Sequence, residues 1–451
     1  MKINDELRQR LHNAIPGGAH TYSRGDDQYP SNCPALFTHG KGAYLFDVEG
    51  NKYLDYGMGL RSVNIGYGNE EIAQAAFQEI LNGNNLSRAS LLELEAAEKL
   101  IELIPSVDMV KFAKHGSTVT TAAVKLARAY TNKKYILVPS EQPFFSYDDW
   151  FIGTTPLTRG TLEETSHFTI RFPYNNIEAL EKIVAEYDGQ IAGLIMEAAT
   201  HLTPCSANCD ENIICANCPN NGSNYLQKVQ TLCQEKGIVF ILDEMITGFR
   251  WHLKGAQTFY GLTPDLCTFG KAMANGFAVA ALCGKREIME LGNILTPGHE
   301  RVFLTSTTHG AEMSSLGAFM KTMAILEREN VVDHLWHYGQ QLIDGAMQLA
   351  KENGIEKHLK FEGYACSPAY SFLDKTGTSS LGLKTLFVQE MLKENVLMLY
   401  IATSFAHQQK ELELTLAAMK KVLPIMAQAI ENGYENYLVG PVIKPVFRKY
   451  N

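Results

Sequence analysis

Long apolar runs are missing from this chain. No stretch of about 18 consecutive apolar residues occurs, so nothing in it reads as a membrane-spanning helix. The N-terminus, MKINDELRQRLHNAIPGG, has no apolar core and does not read as a secretory signal. Basic charge is not in excess: 40 Lys+Arg stand against 49 Asp+Glu, a formal charge of −9. That balance argues against a protein whose main task is gripping nucleic-acid backbones, and neither a nucleic-acid nor a membrane partner is expected. Cysteine is sparse, nine in 451 residues, far below the density of a secreted disulfide scaffold. Reduced thiols and a cytoplasmic location are therefore the expectation. Internal repeats, low-complexity tracts and Pro/Ser-rich linkers are also absent. What remains, with 45% hydrophobic residues, is a soluble globular chain. At roughly 100–200 residues per domain it has length for two or three lobes.

From Asp108 to Arg286, short apolar or β-branched runs alternate with amphipathic helical stretches. This pattern predicts an α/β fold with a mostly parallel sheet flanked by helices. Strands are expected at Met109–Ala113, Tyr135–Pro139, Ile191–Glu197, Gly237–Asp243, Leu266–Phe269 and Ala278–Gly284. Lys41–Tyr56 reads as a hairpin turning at Glu49–Gly50, and Leu326–Ala350 as one long helix followed by mixed α and β signals to about Gly433. The expected division is an N-terminal segment (1–70), a large α/β domain (71–325) and a C-terminal α+β domain (326–451). Both termini then contribute to the smaller lobe.

Three short motifs carry chemistry. In Lys114–Tyr130 the apolar residues Val119, Ala122, Ala123, Leu126, Ala127 and Tyr130 recur at helical spacing, so this is a helix with one buried face. Gly116-Ser117-Thr118 opens it. Backbone N–H groups, two hydroxyls and the positive end of the helix dipole suit a phosphate there, while Ser117 or Thr118 acting as a plain N-cap is the simpler alternative. In GIVFILDEMITGFR (237–250) an apolar run ends at Asp243, at the strand edge where open α/β sheets place ligands; a lone aspartate there also suits capping of the next helix. In DLCTFGKAMANGF (265–277) Lys271 follows another strand, flanked by Gly270 and Gly276. Such a lysine alone is compatible with a plain surface residue. The three together meet the needs of pyridoxal phosphate: a lysine to hold its aldehyde as a Schiff base, a carboxylate for its ring nitrogen and an anchor for its phosphate.

From about Arg10 to Gly433 the chain resembles the class III aminotransferases of fold type I, and within that class it is most similar to the glutamate-1-semialdehyde 2,1-aminomutase family. The resemblance rests on Pro16-Gly17-Gly18 through Arg24, the hairpin Gly42–Tyr56, Lys114–Thr120, Leu242–Arg250 and Gly270-Lys271. It implies that Lys271 is the Schiff-base lysine and proton shuttle and that Asp243 pairs with the pyridinium nitrogen. It further implies that Gly116, Ser117 and Thr118 bind phosphate, that Phe144 stacks on the ring and that Glu197 is the strand-end glutamate. Thr307 or Thr308 falls near a threonine that reaches the neighbouring subunit's phosphate, which implies a homodimer. Arg24 matches the arginine for the substrate carboxylate, the alternative being a surface arginine in an N-terminal loop.

The departures point to substrate. Leu60 followed by Arg61 replaces an aromatic wall with a cation that either binds a second anion or salt-bridges a carboxylate. Phe144-Phe145 replaces a Tyr-His pair, and THGAE (308–312) replaces Gly-Asn-Pro. These favour a ping-pong aminotransferase, moving an amino group from a small-molecule donor to an aldehyde or ketone acceptor, over the intramolecular aminomutase. A non-catalytic, metal-dependent binding protein on the same fold is the third reading. It arises from an insertion, 204–221, in which Cys205, Cys209, Cys215 and Cys218 are spaced C-x3-C-x5-C-x2-C. Four thiolates so placed suit a structural zinc site, with an iron–sulfur cluster or free thiols as alternatives. His20, His115, His309 and His407 lie near motif loops and are assigned no catalytic part.

Overall fold

The computed structural model describes residues 3–204, 224–310 and 312–451. In chain order the strands are β1 (Phe37–Lys41), β2 (Tyr44–Asp47), β3 (Lys52–Asp55), β4 (Met109–Ala113), β5 (Tyr135–Pro139), β6 (Thr169–Phe172), β7 (Ile191–Glu197), β8 (Val239–Asp243), β9 (Leu266–Phe269), β10 (Ala280–Gly284), β11 (Leu359–Glu362), β12 (Ala369–Phe372) and β13 (Val396–Leu397). The chain divides into two compact units, one of residues 1–69 and 333–448, the other of 70–332 and 449–451.

The second unit is built on a seven-stranded sheet of order β4-β10-β9-β8-β7-β5-β6. β5 to β9 run parallel, while β10 is antiparallel to both β9 and β4. Every residue of β7 and β8 is buried, which is why both read as unbroken apolar runs and not as alternating patterns. The helix Gly116–Thr131 follows β4 and turns Val119, Ala122, Ala123, Leu126 and Ala127 into the core with Ile195, Ile241 and Leu282. Each fully buried aliphatic side chain of this kind contributes about 1.5–3 kcal/mol.

The first unit holds the sheet β1-β2-β3-β13, the β11–β12 pair and the helices Leu381–Lys393 and Gln409–Asn432. β13 joins β3 in parallel. Tyr56, fully buried, ties its core together through hydrogen bonds to the hydroxyls of Tyr338 (2.6 Å) and Thr415 (2.7 Å).

Several expectations need correcting. The helix expected over Leu326–Ala350 is two helices, Met313–Arg328 and Val331–Glu352, because Asn330 takes a left-handed φ of 49° between them. β8 starts at Val239 and not at Gly237, since Gly237 closes the preceding helix in the left-handed region (φ 59°), its N–H donating to Cys233. β10 starts at Ala280 and not at Ala278. β6, which pairs with β5 at the sheet edge, was absent from the expected set.

Candidate functional site

Parallel register aligns the strand ends of the second unit. Glu197 pairs with Asp243, and Asp243 with Thr268, so three polar residues line up at or next to the ends of three adjacent strands, all of them buried. Asp243 Oδ1 accepts hydrogen bonds from the Met245 N–H and the Thr268 hydroxyl, each at 3.0 Å. No hydrogen bond reaches Oδ2 from the described residues. Burial pushes this carboxyl up to about 6, opposed by the Met245 N–H, the positive charge of Lys271 and the Thr268 hydroxyl. A buried, half-satisfied carboxylate within electrostatic reach of a lysine fits a protonated ring nitrogen, whose N–H and charge would supply what Oδ2 lacks.

Lys271 opens a short turn after β9 with a left-handed φ of 43°. Gly270 before it has a steric reason: a Cβ there would lie 2.6 Å from Met245 Sδ. A Cβ at Gly116 would lie 3.0 Å from the same sulfur. Met245, two residues beyond Asp243, thus packs against the lysine turn and the helix N-terminus alike, and all three motifs converge on one side chain. The sequence pattern did not single it out.

At that helix N-terminus the N-cap is His115, which makes no side-chain capping bond. Ser117 and Thr118 lie inside the first turn, so the plain N-cap reading of either is removed. Ser117 Oγ is buried and accepts from the Tyr147 N–H at 3.2 Å, which leaves its hydroxyl hydrogen to donate. Thr118 Oγ1 pairs with His115 Nδ1 at 3.0 Å. Uncapped N–H groups, a dipole end and hydroxyls together fit a phosphate. Lys114 is held by Glu312 at 2.7 Å.

Glu197 is held by Gln142, another residue without a sequence signal: the Gln142 amide donates to the Glu197 carbonyl and accepts from its N–H, both at 2.8 Å. Glu244, next to Asp243, is scaffold, its carboxylate taking the N–H groups of Ala256 (2.6 Å) and Gln257 (3.0 Å). Of the phenylalanine pair, Phe145 is buried, whereas Phe144 is exposed and meets Phe151 edge-on at 6.2 Å. Thr307 and Thr308 are exposed.

Arg24 and Arg61 belong to the first unit. Arg24 is exposed in the turn Tyr22–Arg24, and among the described residues no carboxylate lies within 4.0 Å of its guanidinium. Arg61 ends a left-handed turn, Met58–Arg61, and its Nε donates to Ser367 Oγ at 3.1 Å. Cys205, Cys209, Cys215 and Cys218 lie outside the described residues. Among the described residues no group of three or more His, Cys, Asp or Glu is arranged to hold a metal, and the remaining five cysteines are buried. His407 is buried and hydrogen-bonded to Ser404 (2.9 Å), a structural role. No described helix is long and apolar enough to cross a membrane.

A family model described as "Aminotransferase class-III" matches residues 26–368. The chain is 32% identical over 429 residues to the 3-aminobutyryl-CoA aminotransferase of Cloacimonas acidaminovorans (strain Evry), covering 94% of this chain and 96% of that protein. It is 28% identical over 445 residues to the glutamate-1-semialdehyde 2,1-aminomutase of Francisella philomiragia, covering 93% and 98%. Among solved structures, the FumI protein of Sphingopyxis sp. MTA144 superposes with a TM-score of 0.82 at 23% identity, covering 95% of this chain and 97% of that one.

Proposed function

The chain belongs to the class III aminotransferases, pyridoxal phosphate enzymes of fold type I, and from that premise we propose that it moves an amino group from a small-molecule donor to an aldehyde or ketone by ping-pong chemistry. The observation that carries this is the Asp243–Lys271 pair: a buried carboxylate with an open oxygen, felt by a lysine on the next strand's turn. When bound, pyridoxal phosphate supplies a carbonyl carbon that captures amines and a ring that takes up electrons from the substrate. Lys271 Nζ would hold that carbonyl carbon at rest and, once displaced by the donor, would move a proton from the substrate's Cα to the former carbonyl carbon. Asp243 Oδ2 accepts the ring nitrogen's hydrogen bond. The first-turn N–H groups of Gly116, Ser117 and Thr118, with their hydroxyls, receive the phosphate. Glu197, anchored by Gln142, closes the neighbouring strand end, and Phe144 offers an apolar face. Arg24 takes the substrate carboxylate through its bidentate fork.

The working state is a homodimer. Phe77, Ile80 and Leu81 share one helix face (i, i+3, i+4) and are 51%, 52% and 65% exposed, and Leu91 and Leu94 on the next helix are 70% and 54% exposed. Apolar side chains clustered in this way mark an interface. Thr307 or Thr308 from one subunit then serves the other's phosphate. The protein works in the cytoplasm. The four cysteines of the insertion hold one structural zinc, a reading supported by their spacing alone and checked by metal content per chain.

Replacing Lys271 with Ala tests the central step. Loss of both the bound cofactor's visible absorbance and all amino transfer is expected, and retention of both overturns it. The donor panel includes 3-aminobutyryl-CoA, by similarity to the relative of that name. Formation of 5-aminolevulinate from glutamate-1-semialdehyde without any added donor would instead establish the aminomutase reading, against which Leu60 stands.

A further inference from the structure

We infer that the first unit carries an oxyanion site, formed by Arg61 and Lys384 with Ser367 and Tyr400 beside them, that takes a phosphate-sized dianion. Two cations come to it from separate elements: Arg61 from the turn after β3, Lys384 from the first turn of the helix Leu381–Lys393. Arg61 Cζ lies 5.8 Å from the centre of the Tyr400 ring, and Lys384 Nζ lies 5.0 Å from that of Tyr370. Ser367 Oγ accepts from Arg61 Nε and so fixes the orientation of the guanidinium plane. Among the described residues no carboxylate lies within 4.0 Å of Lys384 Nζ. Its ammonium is pushed down to about 8, first by burial and then by the positive charge of Arg61. The positive charge of Arg61 is felt at the half-buried Lys384, and a dianion held by both groups would offset that repulsion.

The backbone is arranged for the same end. Met58, Leu60 and Arg61 all have positive φ (40°, 61° and 68°), a left-handed turn that costs about 1–2 kcal/mol per non-glycine residue. The Asp55 carboxylate holds it, taking the N–H groups of Gly57 and Met58 at 2.9 Å each and the Tyr67 hydroxyl at 2.7 Å, while Tyr67 Oη accepts from the Gly59 N–H at 2.7 Å. Strain secured by a buried carboxylate positions a side chain, and the side chain at the end of this turn is Arg61. A phosphate offers oxygens enough for a guanidinium fork and an ammonium at once.

The test uses the holoenzyme, with acetic anhydride as amine label at pH 8 and mass spectrometry of the peptide bearing Lys384. With its pKa near 8, Lys384 has about 150 times the neutral fraction of an ordinary lysine and labels first. Inorganic phosphate at ten times its Kd should slow that labelling about tenfold, while chloride at matched ionic strength should not. In Arg61→Gln the protection should vanish, and Lys384 should label more slowly without phosphate, because removing a neighbouring cation lets its pKa rise. Arg61→Lys should restore part of both effects, and Ser367→Ala should weaken protection even if Arg61→Gln does not fold. No protection in the wild type, or equal protection in Arg61→Gln, overturns the site. Kinetics identify the dianion's source: phosphate that raises KM at constant kcat shows that it belongs to the amino substrate, and protection with no kinetic effect shows a separate ligand. The labelling does not depend on Lys271, so a failed cofactor assignment and a failed anion site give different results.

Discussion

Asp243→Asn should act in opposite directions on the empty and the loaded protein. The folded-state pKa of Asp243 is raised by burial from 3.8 to about 6. The carboxyl's contribution to stability is therefore complete below pH 3.8 and lost as pH rises through about 6. Above that, the buried charge destabilises the cofactor-free fold by about two pKa units at ~1.4 kcal/mol each, ~3 kcal/mol in all. Asparagine keeps the acceptor for the Met245 N–H and the Thr268 hydroxyl and carries no charge. Cofactor-free Asp243→Asn at pH 8 should then melt roughly 6–12 °C above the wild type, at about 2–4 °C per kcal/mol for a unit of this size. The gap should close as pH falls towards 4. With cofactor bound the order reverses, because the variant has lost the charge that pairs with the ring nitrogen, and its cofactor dissociates more readily. Melting curves for both proteins, empty and loaded, across pH 4–8 decide it. Parallel pH profiles for the two empty proteins would refute the reasoning, since they would mean that Asp243 carries no buried-charge penalty.

Three further outcomes follow from the same geometry. Gly270→Ala places a Cβ 2.6 Å from Met245 Sδ and should cost about 1–3 kcal/mol by denaturant titration together with most activity; Met245→Ala in the same chain should recover part of the stability. Asp55→Ala removes three hydrogen bonds around the turn Met58–Arg61 and should cost about 2–4 kcal/mol, with phosphate protection of Lys384 lost in any protein that still folds. Asn330→Ala, at φ 49° between two helices, should cost about 1 kcal/mol in thermal unfolding, while Asn330→Gly should be close to neutral.

The parallel strands were legible because burial on both faces writes them as continuous apolar runs, as in Leu194–Met196 and Val239–Leu242. β6, TIRF at the sheet edge, is only four residues long with two of them half-buried, too weak a pattern to separate from a loop. The break at Asn330 was hidden because apolar spacing continues across it; only a backbone angle interrupts the helix. Among the candidate residues, those marked by their chemistry could be proposed from the sequence: Lys271, Asp243, Ser117 and Arg24. Residues that act by position could not. Gln142 reaches Glu197 across 55 residues, Thr268 meets Asp243 only through register, and Met245 matters because two distant glycines close on it. Lys384 lies 323 residues from Arg61 in the chain, so nothing in the sequence relates the two.

Backbone strain sets the candidate positions apart from ordinary turns. Among the described residues eleven non-glycine residues have positive φ, and six of them are asparagines, the residue that tolerates this region best. The other five are Met58, Leu60, Arg61, Phe249 and Lys271. Three form the turn that carries Arg61, one directly precedes the fully buried Arg250 in the motif that begins at Asp243, and the last is the lysine itself. A side chain that prefers another conformation persists in this region only where its surroundings over-determine it. Asp55 supplies that constraint in the first unit, and the packing of Met245 against Gly270 supplies it in the second. Both units thus spend backbone strain on holding a cation in one place, and in each the securing group is a residue that never needs to touch substrate.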